Sequence, residues 1–144
     1  MNHSCDPNVV HHNYGKCSVL RSLRLISKGE QIIDSYGPHF VSEALSIRED
    51  ILKSRFRFTC NCIACRQDFP TQHSLPWTLD EVEISDEITT SVGLYLETGK
   101  ADCGLQAQLG QIICDLDVKG LRMCQLYFVL QQMLKVIFAS SFNI

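Results

Sequence analysis

At 144 residues, 45% apolar and 20% charged, the chain is long enough for one globular domain or a domain and a half. A formal net charge of −3 argues against direct nucleic-acid binding by the chain as a whole. The charge is uneven: residues 1–70 hold 9 Lys/Arg against 7 Asp/Glu, and residues 71–144 hold 4 against 9, which puts an expected domain boundary near residue 70.

Residues 9–35 read as short strands. Asn13-Tyr14-Gly15-Lys16 is a turn signal, Cys17 to Ile26 is rich in Val, Leu and Ile, and Ser27-Lys28-Gly29-Glu30 is a second turn. Gln31 to Tyr36 forms a third strand that runs into Gly37-Pro38. Short strands joined by tight turns predict a small antiparallel sheet. From Phe40 the period becomes helical, with Phe40, Ala44, Ile47 and Ile51 on one face of a helix ending near Arg55. Asp68-Phe69-Pro70 and Leu75-Pro76 frame a connector. Thr78 with Glu81 forms a capping box for a helix over 79–97. Two further helices are expected over 102–115 and 119–139, in the manner of a helical-hairpin array. Leu121 to Ala139 is the most apolar stretch, but Arg122, Gln125, Gln131, Gln132 and Lys135 interrupt it, so a buried helix is expected rather than a membrane span.

Eight cysteines allow either disulfides or metal binding. Met1-Asn2-His3-Ser4 lacks the basic and apolar regions of a signal peptide, so a reducing compartment is expected, where clustered cysteines bind metal more often than they oxidise. Cys60, Cys62 and Cys65 form a C-x-C-x2-C run, one ligand short of tetrahedral zinc. Cys5, more than fifty residues upstream, can supply the fourth; His3, His11 and His12 are chemically acceptable rivals. Free buried thiols are the alternative. Cys17, Cys103, Cys114 and Cys124, scattered on apolar stretches, read as buried structural cysteines.

The run Asn2-His3-Ser4-Cys5-Asp6-Pro7-Asn8 resembles the N-H-S-C-x-P-N motif of SET-domain protein lysine methyltransferases. Lys28-Gly29-Glu30-Gln31-Ile32 with Tyr36-Gly37 is similar to that family's later G-E-x-[IL]…Y strand. Phe56-x-Phe58-x-Cys60-x-Cys62-x2-Cys65 resembles its cysteine-rich post-SET segment. Order and spacing fit the SET-and-MYND (SMYD) branch best, with the resemblance concentrated in residues 2–66. It implies an α+β chain: the C-terminal half of a SET-type β-fold over 1–55, a zinc-binding post-SET segment over 56–70, and an all-α, incomplete helical region over 71–144. The family's glycine-containing cofactor loop and MYND finger lie before this motif, so the chain is expected to be part of a longer protein and inactive alone.

The resemblance also assigns roles. Asn2 and His3 would bind S-adenosyl-L-methionine, Tyr36 would be catalytic and touch the cofactor, and Phe58 would pack on the adenine. Zinc would be held by Cys5, Cys60, Cys62 and Cys65. Phe56 stands where many relatives have a second channel tyrosine, which predicts an effect on how many methyl groups are added. On residue type alone, Tyr36 and Phe58 read as core side chains and His3 as a satisfied structural histidine. The expected partners are a protein lysine substrate, with histones among the candidates, and chaperones or chromatin regulators. The expected location is cytoplasm and nucleus. The rival expectation is a non-catalytic, zinc-stapled interaction module.

Overall fold

The computed structural model describes residues 1–79 and 82–140. Strands β2 (Val9–Tyr14) and β3 (Cys17–Ser22) form an antiparallel hairpin in continuous register, from Val9 opposite Ser22 to Tyr14 opposite Cys17. A two-residue turn matching the twist of such strands needs positive φ at its first position, and Gly15 supplies it at +59°.

The third expected strand is shorter and pairs differently. β1 (Asn2–His3) runs parallel to β4 (Ile33–Asp34), with Asn2 opposite Ile33 and His3 opposite Asp34. The antiparallel expectation therefore holds for the hairpin and fails here. Asn8 is the physical reason. It is fully buried, its amide donates to the Gln31 carbonyl at 2.8 Å and to Glu30 Oε1 at 3.1 Å, and its Oδ1 accepts from the Ile33 amide at 2.9 Å. One side chain thus clamps residues 30–33 alongside the start of the chain.

Helix α1 spans Leu45–Phe56, starting five residues after Phe40. Phe40 and Val41 are buried in the turn before it, and the Phe40 amide donates to the Cys5 carbonyl at 3.0 Å. The buried face of α1 carries Arg48 and Leu52, whereas Ile47 is 51% exposed, so the expected apolar stripe is displaced by one residue. Arg57, at φ +59°, ends the helix in the left-handed conformation and turns the chain toward the cysteine run, where α2 (Ile63–Arg66) makes one helical turn.

Helix α3 spans Asp86–Thr98 and is capped by Ser85, whose hydroxyl accepts from the Ile88 amide. Thr78 is not its N-cap, and Glu81 lies outside the described residues. The competing signal was Ser85 followed by Asp86 and Glu87, an N-cap with two carboxylates at the positive end of the helix. A short 3-10 turn (Cys103–Leu105) leads into α4 (Gln106–Lys119), which ends at Gly120 with φ +71°. α5 (Gln125–Ser140) packs back on α4.

Ten of the sixteen residues of α5 are buried, so it serves as the axis on which both halves of the chain pack. Burying each large apolar side chain contributes about 1.5–3 kcal/mol before conformational entropy is subtracted. The Phe128 ring meets Phe40 edge-on at 5.2 Å, Gln131 donates to the Leu23 carbonyl, and the Tyr14 hydroxyl donates to the Phe138 carbonyl at 2.6 Å. The hydrophobic core runs unbroken from Cys5 and Leu23 through Leu52 to Phe138. No helix among the described residues is long and apolar enough to cross a membrane.

Candidate functional site

Residues 4–8 make a tight loop that turns Cys5 inward. The Ser4 hydroxyl accepts from the Asp6 amide and donates to the Asp6 carbonyl, both at 3.0 Å. Cys5 then meets the turn that carries Cys60, Cys62 and Cys65. The four sulfurs all lie within 4.8 Å of one another, and those of Cys5 and Cys65 are 3.5 Å apart. Four sulfurs at about 2.3 Å from one tetrahedral ion would be separated by about 3.8 Å, so this set fits zinc closely. Among the described residues it is the one such ligand group.

The electrostatics agree with that fit. The hydrogen bond with Cys5 holds the Cys62 thiol down to about 3, while that bond and burial push Cys5 far above the thiol range. Burial pushes Cys60 up to about 11. A partly buried set of four thiols this close together suits a divalent cation, and coordination displaces their protons. Of the other cysteines, Cys124 is buried as expected and Cys114 half-buried, whereas Cys17 and Cys103 are exposed, at a strand start and a turn where no packing covers them.

His3 belongs to a second arrangement. Its Nδ1 accepts from the Tyr36 backbone amide at 3.0 Å, which leaves the proton on Nε2, 3.3 Å from the Cys5 sulfur. Burial lowers its pKa, consistent with a neutral ring donating to sulfur. With both nitrogens so engaged, His3 supports the sulfur site rather than joining it; His11 and His12 lie on β2.

Tyr36 and Phe58 flank His3, and Phe56 packs on Tyr36. Tyr36 lies 5.2 Å from His3, 5.1 Å from Phe56 and 6.3 Å from Phe58, and Phe58 lies 5.9 Å from His3. The left-handed turn at Arg57 lets Phe56, at the helix end, and Phe58, beyond it, both reach Tyr36. Tyr36 is 39% exposed, and its hydroxyl donates to the Met1 carbonyl at 2.6 Å. A cavity of about 560 Å³ opens beside Asn2, His3, Phe58 and Cys62, with Asp6, Arg24 and Arg122 on its walls. That volume suits a small molecule. His3 and Phe58 belong both to this cavity and to the ring cluster; Tyr36 and Phe56 do not line it.

Residues 1–37 match the SET domain family. A SET and MYND domain-containing protein of Dictyostelium discoideum is 46% identical over 68 residues, covering 46% of this chain and 5% of that protein. Protein-lysine N-methyltransferase SMYD4 of Mus musculus is 35% identical over 68 residues, 47% of this chain and 8% of its own length. N-lysine methyltransferase SMYD2 of Homo sapiens is 35% identical over 65 residues, 45% of this chain and 14% of its own. The chain is similar to these SET-and-MYND relatives over a stretch of 65–68 residues, which is a small part of each of their lengths.

Sequence reasoning missed two residues. Asn8 closes the N-H-S-C-x-P-N run, and its place at the motif's end was the available signal for its clamping role. Arg48 gave no signal, because hydropathy assigns arginine to the surface.

Proposed function

We propose that this chain supplies one flank of an S-adenosylmethionine-dependent protein-lysine N-methyltransferase site, stapled by a structural zinc ion on Cys5, Cys60, Cys62 and Cys65. The observation that carries this reading is the convergence of His3, Tyr36, Phe56 and Phe58 beside that sulfur set. When bound, S-adenosylmethionine supplies a methyl group on a positively charged sulfur. Asn2, His3 and Phe58 line the cavity and are the groups that would hold it. The flat Phe58 ring offers a stacking surface for a base.

Tyr36 would orient the accepting amine. Its hydroxyl proton is committed to the Met1 carbonyl, so its oxygen keeps lone pairs to accept an amine N–H. Free lysine has a pKa near 10.4, and an aromatic channel beside a positive sulfur favours the neutral, nucleophilic form. Bound beside that amine, S-adenosylmethionine would supply the methyl group and depart as the neutral thioether, the positive charge passing to the methylated nitrogen, and the residues' part would be to orient the two reactants. The substrate would be a protein lysine, with histones among the candidates, and the acidic stretch after residue 70 would favour lysine-rich surfaces. Chaperone or chromatin-regulator partners, and a place in cytoplasm and nucleus, belong to the same proposal.

The test is Tyr36→Phe in the longest gene product that carries this segment, followed by radiolabelled methyl transfer to protein. Transfer should fall about 100-fold or more while cofactor affinity is retained. An undiminished rate would remove Tyr36 from the reaction. Leu94, Leu96 and Val118, all more than half exposed on the helical part, favour a second reading as a zinc-stapled interaction module. Absence of S-adenosylmethionine binding by that gene product would support it.

A further inference from the structure

Among the described residues, Arg48 is the largest fully buried side chain. A guanidinium does not deprotonate in proteins, so its charge stays and needs an anion. Among the described residues no carboxylate stands within ion-pair distance of it; the recorded pairs are formed by Arg24, Lys53 and Arg122. Its partners are neutral carbonyls and a sulfur. One terminal nitrogen donates to the Glu43 carbonyl at 2.6 Å, the other to the Ala64 carbonyl at 3.2 Å and toward the Cys65 sulfur at 4.0 Å, while Nε is buried without a partner.

Ala64 and Cys65 belong to the turn that presents three of the four sulfurs. Four thiolates around one divalent cation leave a net charge of −2. Burying a dianion is costly unless a positive charge lies beside it. The fully buried cation and the partly buried sulfur cluster therefore answer each other: Arg48 has no carboxylate partner among the described residues, and the loaded cluster would place net negative charge beside it. We infer that Arg48 is the counter-cation and positioning residue of the four-sulfur metal centre, an inference that rests on the zinc reading above. Its forked donors hold the Cys62–Cys65 turn through the Ala64 carbonyl. Its charge lowers the cost of the thiolate cluster, and its N–H tempers the nucleophilicity of the Cys65 sulfur. Lysine would retain the charge and lose the fork.

A purely structural arginine, bracing two carbonyls, makes different predictions. It would destabilise the metal-free and zinc-loaded protein equally on removal and leave sulfur reactivity unchanged. The experiment compares wild type, Arg48→Met, Arg48→Gln and Arg48→Lys as full chains. It reads bound zinc, zinc affinity by chelator competition, and the alkylation rate of Cys65 in the zinc-loaded state. We expect one zinc in wild type and about 10–100-fold weaker zinc binding in Arg48→Met, the range seen when groups behind metal ligands are lost. Faster Cys65 alkylation should accompany it. Arg48→Lys should keep affinity near wild type. Should Arg48→Met fail to fold, Arg48→Gln decides, since it keeps a donor for Ala64 and discards the charge. Wild-type affinity and alkylation in the neutral variant that folds would overturn the role of Arg48 alone. No zinc in wild type would overturn the metal reading, and the role of Arg48 with it.

Discussion

Cys5→Ser is the sharpest perturbation of the proposed metal centre. Serine nearly matches cysteine in size and suits the buried loop, so the main loss is the sulfur ligand. Through zinc, Cys5 would tie the chain start to the turn beginning at Cys60, closing a loop of about 55 residues. Treated as a covalent cross-link, such a loop removes about 14 cal/mol/K from the unfolded chain, or about 4 kcal/mol at 25 °C. Urea denaturation of wild type and Cys5→Ser, each with zinc and with chelator, isolates that quantity. Wild type should gain about 4 kcal/mol more from zinc than Cys5→Ser does, and the two should be similar in chelator. Cys62→Ser, which leaves the long-range ligand in place, should lose less of the zinc-dependent gain. Equal gains from zinc in wild type and Cys5→Ser would refute the long-range staple.

Phe56→Tyr restores a hydroxyl 5.1 Å ring-to-ring from Tyr36 and should shift products toward fewer methyl groups; mass spectrometry showing the same product distribution as wild type would remove Phe56 from product control. Burial, reinforced by Lys135, Arg48 and His3 and opposed by Cys62, holds His39 down to about 3. The folded state therefore keeps the ring neutral, while the unfolded chain binds a proton below about 6.5. This contribution is fully present above pH 6.5 and is lost progressively toward pH 3, by up to about 5 kcal/mol. His39→Gln, measured in chelator throughout, should flatten the decline; parallel profiles would contradict it. Asp6 is buried, and Arg122 reaches it at 2.7 Å from the loop before α5. Arg122→Leu, which strands that carboxylate, should cost about 2 kcal/mol, and adding Asp6→Asn should recover part of it. A double variant less stable than the single one would argue against this ion pair.

Particular residues show what could be read from the sequence. The C-x-C-x2-C spacing and the N-H-S-C run pointed to the sulfur cluster because ligand chemistry is local and specific. The hairpin was legible from Gly15, since the turn demands a conformation that glycine adopts freely. The parallel pair of β1 and β4 was not, because two-residue strands have no period and their alignment depends on Asn8, a side-chain clamp. The buried face of α1 was misjudged for a related reason. Arg48 is admitted to the interior by carbonyls and sulfur contributed from residues 43, 64 and 65, and no periodicity of α1 reports that chemistry. At α3, two capping signals competed and the one at Ser85 prevailed.

The separation of Cys5 from its partner thiols has a consequence for biosynthesis. At about 5–20 residues per second, Cys60 to Cys65 are added roughly 3–12 seconds after Cys5. Throughout that interval the first sulfur has left the peptidyl-transferase centre while the other three do not yet exist. The site can be assembled only late, so the nascent chain carries an unprotected thiol whose fate depends on the local oxidant and metal supply.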